Sequence, residues 1–290
     1  MAAAETLPEP QELSDEEREA IEHQLYRLAD DEFVIAERYT EWQVRAPTLE
    51  SDLALANIAQ DEYGHARLWY DLLQDWGATE SDLIWERPAD EWRHSSLCEL
   101  EFAEGDWADA IVRSYLYDVA ENIRLQALAD SSYPRIRDRV GKILGEEDYH
   151  REHAQNWLER LCEEEDSRAR VQAALDRLFP YALTLFSPTD EEVDDRIVEL
   201  GIRSEPLVTM REEWLDEVVP YLESLDLSVD DAELPEQYDL HHSAFDLPAE
   251  VGRDQSHTDD WFDLYDDFTH TYSELGRESA NRIMKDPDDE

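Results

Sequence analysis

The chain is 290 residues long and carries 25 Lys+Arg against 75 Asp+Glu, a formal net charge of −50. That balance excludes nucleic acid as a partner, because phosphates would be repelled, and it speaks against an anionic membrane surface. Hydrophobic residues make up 41% of the chain, with 9 Trp and 13 Tyr, which is enough apolar material for a core and excludes wholesale disorder.

Residues 1–13, with Pro8 and Pro10, read as a loose tail. Ser14 and Glu17 then form a capping-box pattern that opens a helix over about 15–45. Its apolar stripe is Ile21, Leu25, Leu28, Ala29, Ile35, Ala36 and Tyr39. Pro47 separates it from a second helix over about 48–76, closed by Gly77, with Leu55, Ile58, Ala59, Ala66, Trp69 and Leu73 on one face. A connector over 78–105 contains Pro88. A third helix is expected over 106–130, broken by Ser131, Ser132 and Pro134. The fourth, over 135–162, aligns Val140, Ile143, Leu144, Ala154, Leu158 and Leu161. Two further helices are expected over 168–186 and 205–224. A Pro- and acid-rich linker over 226–255 leads to a last helix over 257–283. The aromatic stripe of that helix, Trp261 to Tyr272, serves either internal packing or a subunit interface. The predicted class is all-α: a four-helix core over 14–165 and a C-terminal helical extension over 166–290.

The informative residues interrupt these stripes. Glu32 sits between Leu28 and Ile35, Glu62 and His65 between Ile58 and Trp69, and Glu147 and His150 between Leu144 and Ala154. A carboxylate at a core position is costly without a partner. Two-metal bundles supply one: a carboxylate from each of two helices and Glu-x-x-His from each of the other two, the i, i+3 spacing placing both ligands on one face. The spacing alone is weak, because 40 Glu and 9 His produce about one such pair by chance. Three occur, and Glu91/His94, in the connector, is read as the chance one. The competing reading of the other two is buried Glu–His or Glu–Arg pairing. On the third helix Asp118 and Glu121 both face inward, and periodicity does not separate them. His153 reads as a surface residue, and His241-His242 as solvated linker.

Only Lys142 and Lys285 are lysines; the other cations are Arg. A uniformly acidic, Lys-poor chain has the character of a halophilic protein from a salt-filled cytoplasm, where surface self-repulsion is screened. Cys98 and Cys162 have no metal or disulfide spacing. There is no apolar run of membrane-spanning length and no leader-like N-terminus, so a soluble cytoplasmic protein is expected.

Several stretches resemble a known family. Glu41-Trp42 through Ala46-Pro47, Leu53-Ala54-Leu55-Ala56-Asn57-Ile58-Ala59 and Gly64-His65-Ala66-Arg67 are similar to the PaaA/PaaC family. So are Trp107-Ala108-Asp109, Tyr149-His150 with Trp157-Leu158-Glu159-Arg160-Leu161, and Ser256-His257-Thr258. These are the ferritin-like subunits of the multicomponent phenylacetyl-CoA ring 1,2-monooxygenase (epoxidase) of aerobic phenylacetate catabolism. The Leu-Ala-Leu-Ala-Asn-Ile run resembles the structural, PaaC-like subunit. Gln60-Asp61-Glu62-Tyr63-Gly64-His65 and Glu146-Glu147-Asp148-Tyr149-His150 look like the ligand motifs of the catalytic, PaaA-like one. A Lys that the catalytic type carries one turn before its second-helix Glu is Ile58 here.

The resemblance implies a ferritin-like bundle with a diiron site at Glu32, Glu62, His65, Asp118, Glu147 and His150. It implies two Fe ions, electrons from a separate NAD(P)H reductase, an aromatic acyl-CoA substrate, and a hetero-oligomer with a PaaA-like subunit. No nucleotide-binding glycine motif is present in the chain itself. The alternatives are a metal-free scaffold subunit of the same complex, or a stand-alone ferritin- or rubrerythrin-like iron oxidase.

Overall fold

A complete capping box starts the first helix. Ser14 Oγ accepts from the Glu17 amide, and the Glu17 carboxylate accepts from the Ser14 amide at 2.8 Å. In the computed structural model, which describes residues 6–43, 45–102, 106–229 and 248–275, this helix is α1, Asp15–Glu41. Thr48 caps α2, Leu49–Gln74, and Gly77 follows with φ 95°, a left-handed turn that favours glycine. The connector holds a short helix α3, Ser96–Glu99. Asp106 caps α4, Trp107–Leu128, and Pro134 stands in the first turn of α5, Pro134–Cys162. Then come α6, Glu165–Ala182, α7, Glu191–Glu199, α8, Leu207–Ser224, and α9, Asp259–Glu274.

Helices α1, α2, α4 and α5 form the four-helix core, with α1 against α2 and α4 against α5 as its two main pairs. Among the described residues the chain is all-helical, with the four-helix core its sequence predicts. The first helix ends at Glu41 rather than 45, and α4 starts at Trp107. α7 has no counterpart in the sequence reading. Its acid-rich segment is held by charge: Asp194 faces Arg27 at 3.6 Å and Arg203 at 3.3 Å, and Arg196 reaches Glu19 at 2.6 Å.

The later helices share the core. α6 and α8 cover α4, and α7 covers α1. In consequence every residue of α4 except Gln126 is buried. The aromatic stripe of α9 packs internally: Phe268 meets Phe33 at 5.3 Å between ring centroids, and Trp261 meets Trp92 at 5.1 Å. Trp261 to Tyr272 is therefore not a free apolar face for another protein. The linker histidines His241 and His242, and the expected end of the last helix beyond 275, lie outside the described residues.

Arginines are drawn inward. Arg27, Arg38, Arg87, Arg113, Arg124, Arg203, Arg211 and Arg253 are all buried, which leaves the outer surface more acidic still. Among the described residues no helix is long and apolar enough to cross a membrane.

Candidate metal centre

Each candidate side chain stands where its helix's apolar stripe meets the bundle axis. Glu32 on α1, Glu62 and His65 on α2, Asp118 on α4, and Glu147 and His150 on α5 are all buried. Glu32, Glu62, His65 and Glu147 each offer one ligand atom within 4.8 Å of the others. Glu62, Asp118, Glu147 and His150 do the same. Glu62 and Glu147 belong to both quartets, so the cluster is two overlapping four-donor sets joined by two carboxylates.

The imidazoles are aimed. His65 Nε2 lies 2.8 Å from Glu146 Oε2, and His150 Nε2 lies 3.4 Å from Asp61 Oδ2. Each outer acid is partly exposed, Asp61 at 38% and Glu146 at 40%, and holds a hydrogen on the outward nitrogen. A metal that displaces the second proton would find the inward Nδ1 as its lone-pair donor, the arrangement in which a carboxylate orients a metal-binding histidine. His65 Nδ1 stands 3.5 Å from Glu32, 3.9 Å from Glu62 and 3.3 Å from Glu147. His150 Nδ1 stands 3.4 Å from both Glu62 and Glu147.

Nine buried atoms here have no hydrogen-bond partner: Nδ1 of His65 and His150, both oxygens of Glu32, Glu62 and Glu147, and Asp118 Oδ1. Unpaired buried polar groups are rare because each carries its full desolvation cost. Nine converging on one place fit metal ions as the missing partners. Without metal, protons must fill that role, and the neighbouring carboxylates, Glu147 foremost, raise both His65 and His150 against the effect of burial. Burial, reinforced by the Glu62 charge, pushes the Glu32 carboxyl well above its usual range. Burial also raises Asp118. Burial opposes ionisation of Glu147 too, but there His150 and His65 prevail and draw it down to about 2.

Asp118 and Glu121 have different places. Ser114 Oγ donates to Asp118 Oδ2 at 2.9 Å, and Asp118 faces His150 and Glu147. Glu121 is paired with Arg124 and lies beside Glu32; burial pushes its carboxyl well above the usual range, with Arg124 opposing. Arg124 Nη1 also donates to Asp31 Oδ2 at 2.5 Å, so a chain of alternating charge, Glu121–Arg124–Asp31–Arg253, backs the cluster. Sequence reasoning missed this network, because Asp31 and Arg253 are 222 residues apart. His153 is half-buried beside Tyr149 and outside the cluster; burial and then the His150 charge lower it to about 4. His94, set aside in the sequence as chance, is fully buried and bonded to Glu99, while Glu91 is exposed.

Glu37, just past the cluster on α1, gives a pH test. Burial pushes its carboxyl up to about 7, a hydrogen bond from Tyr63 opposing. The unfolded chain ionises it near 4.5. Between those values the folded state keeps a proton that the unfolded state releases, so this contribution to stability falls as pH rises from about 4.5 to 7. Glu37→Gln should therefore gain on the wild type across that window, by roughly 1–2 kcal/mol at pH 8 after screening. Melting both proteins at pH 4.5 and 8 reads this; an equal difference at the two pH values would show that Glu37 ionises freely.

Four helices with carboxylates and imidazoles turned into a dry axis define a ferritin-like bundle carrying a carboxylate–histidine cluster. Its backbone superposes on a protein from Synechococcus described as "Protein 19 with aldehyde deformylating oxidase activity", with TM-score 0.55 at 17% identity over 72% of this chain and 92% of that one. Residues 1–258 match the family described as "Phenylacetic acid catabolic protein", and the chain belongs to that PaaA/PaaC family. It is 32% identical over 204 residues to the C subunit of the 1,2-phenylacetyl-CoA epoxidase of Escherichia coli, covering 70% of this chain and 81% of that one. It is 27% identical over 247 residues to the A subunit of the same enzyme, covering 84% and 79%.

Proposed function

We propose that this chain is a PaaC-like subunit of a phenylacetyl-CoA-type ring epoxidase and that Glu32, Glu62, His65, Asp118, Glu147 and His150 hold two iron ions. The family membership and the 32% identity to the Escherichia coli PaaC-type protein support the first part. The nine unpaired donor atoms at one buried place support the second. A bound iron pair would supply the activation of O2 for transfer of one oxygen atom to the aromatic ring of an acyl-CoA, with electrons delivered by a separate NAD(P)H reductase.

The chain's own residues have defined parts. Glu62 and Glu147 stand between the two donor sets and join them. Glu146 and Asp61 fix the tautomers of His65 and His150. The Glu121–Arg124 pair lies beside Glu32 and raises the local charge density there. Ile58, fully buried one turn before Glu62, keeps that end of the cluster apolar. The assembly is completed by a PaaA-like partner, which supplies the acyl-CoA pocket.

The second reading is a metal-free scaffold in the same complex, in which these acids and histidines only pair with one another or with Arg; Ile58, where the catalytic type carries Lys, bears on turnover. Iron analysis of anaerobically reconstituted protein separates the two. The expected result is about two irons per chain in the wild type, lost in Glu62→Ala and His150→Ala. Below about 0.2 iron per chain, with melting unchanged by Fe(II), the scaffold reading stands. Oxygen consumption with reductase, phenylacetyl-CoA and a ligand-dead PaaA-like partner then shows whether this chain turns over. Co-elution with that partner on size exclusion tests the assembly.

A further inference from the structure

Away from the six-residue cluster, the C-terminal chain returns to the bundle at 248–258 and is fastened to the connector before α3. Gly252, at φ +79°, passes so close that an added Cβ would lie 2.2 Å from the His94 carbonyl oxygen. Arg253 is buried, with Nη1 donating to the carbonyls of Arg93 at 2.8 Å and Arg27 at 3.2 Å. Four residues further on, His257 faces His94 across Glu99.

His94 Nε2 lies 2.6 Å, and His257 Nδ1 2.8 Å, from the same oxygen, Glu99 Oε2. Glu99 Oε1 accepts the Thr258 amide at 2.7 Å. All three side chains are 0% exposed. The other edge of His257 decides the chemistry. Its Nε2 is 3.0 Å from the Trp92 carbonyl oxygen, which can only accept, so Nε2 carries a hydrogen. In a neutral ring Nδ1 is then bare, and its lone pair points at a carboxylate oxygen. Two acceptors at that distance repel unless a cation lies between them. A backbone carbonyl that fixes the tautomer of one imidazole while its other nitrogen faces a carboxylate is the outer support that metal-bound histidines carry. The surroundings are dry: the His94 ring lies 4.3 Å from the Trp261 ring, and Trp92 closes the side.

We propose that His94 Nε2, the Glu99 carboxylate and His257 Nδ1 hold one divalent cation of the zinc class, which clasps the C-terminal chain to the connector. Two imidazoles and one carboxylate suit zinc better than calcium or magnesium, which take oxygen ligands. Seating the ion about 2.0–2.1 Å from each donor needs the rings to move outward by roughly half an ångström. The role is structural, because the seat is enclosed by Trp92 and Trp261. The competing occupant is a proton, which would make His257 an imidazolium bonded at both nitrogens.

The test uses the full chain carrying Glu62→Ala and His150→Ala, so that zinc is read apart from the six-residue cluster. Molar KCl screens adventitious binding to the acidic surface. After chelation and dialysis against zinc, about one zinc per chain is expected, with a melting temperature several degrees higher than the stripped protein. Adding Glu99→Gln, which conserves shape, or His257→Gln should drop zinc below about 0.2 per chain and abolish the rise. Cobalt substitution should give a visible d–d absorption that these substitutions remove. Wild-type iron content is measured separately and reads only the other centre. Less than about 0.2 zinc per chain in the starting variant, with melting unchanged by zinc, overturns the proposal and leaves the clasp to protons.

Discussion

Arg124→Ala should cost about 3–5 kcal/mol of stability, because it strands the buried Glu121 carboxylate and removes one of the two arginines on Asp31. Arg124 pairs with Glu121 and with Asp31 Oδ2, and none of the three reaches solvent. Asp31 retains Arg253 at 2.5 Å and the Ser95 amide at 2.7 Å, but Glu121 loses the counter-charge that the described residues give it beside Glu32. Burial opposes ionisation of Asp31, and Arg253 and Arg124 overcome it, holding the carboxyl near 2. Its contribution to stability is therefore present above its usual 3.8 and lost as pH falls through about 2. Denaturant unfolding at pH 7 measures the loss. Glu121→Gln in the Arg124→Ala background should recover part of it, because an amide carries no charge to strand. A loss below about 1 kcal/mol would mean that water reaches the pair and that the network is no more than a surface bridge.

Raising KCl from about 0.1 M to 2 M should lift the melting temperature by on the order of 10 °C. The chain carries −50, and eight of its arginines are inside. The acids left outside repel one another over a screening length of about 10 Å at the lower salt and under about 3 Å at the higher. Unfolding relieves that repulsion, so dilute buffer favours the unfolded chain. Chloride is the right salt for the measurement, since sulfate would also strengthen apolar burial. A melting temperature that is flat or falls with KCl contradicts the electrostatic account.

The four core helices were legible because each has a capping residue or a proline at its start and an apolar stripe broken only by acids and histidines. Glu32, Glu62, His65, Glu147 and His150 stood out for that reason, and the fold brings all five together. Asp118 did not stand out from Glu121, and the cause lies in α4: a helix covered on every side has no polar face to set its phase, so both acids look inward. What divides them is Arg124, three residues after Glu121, whose other partner lies 93 residues away. α7 was invisible because Glu191-Glu192-Val193-Asp194-Asp195 reads as solvated chain until Arg27 and Arg203 are placed beside it. Glu91/His94 is no ligand pair, as the sequence reading had it, but the group that His94 does join was hidden for a related reason. The partner of His94 is Glu99, and the residue that completes the group, His257, lies 158 positions beyond that. Spacing rules work within one helix, and this group is assembled by a connector and a returning C-terminal chain.

A basic complement that is almost all arginine leaves the outside of this protein nearly without lysine amines. Lys142, on the exposed side of α5, is the one lysine among the described residues, and Lys285 is the other in the chain. Amine-to-amine cross-linkers would find one or two anchors here however intimate a contact became. Carbodiimide coupling reverses the situation, since the chain has 75 carboxyl side chains and most lie outside the core. Each link to a neighbouring protein would then run from that neighbour's lysine to an acid of this chain, so the chemistry itself would label which side of the interface every residue came from.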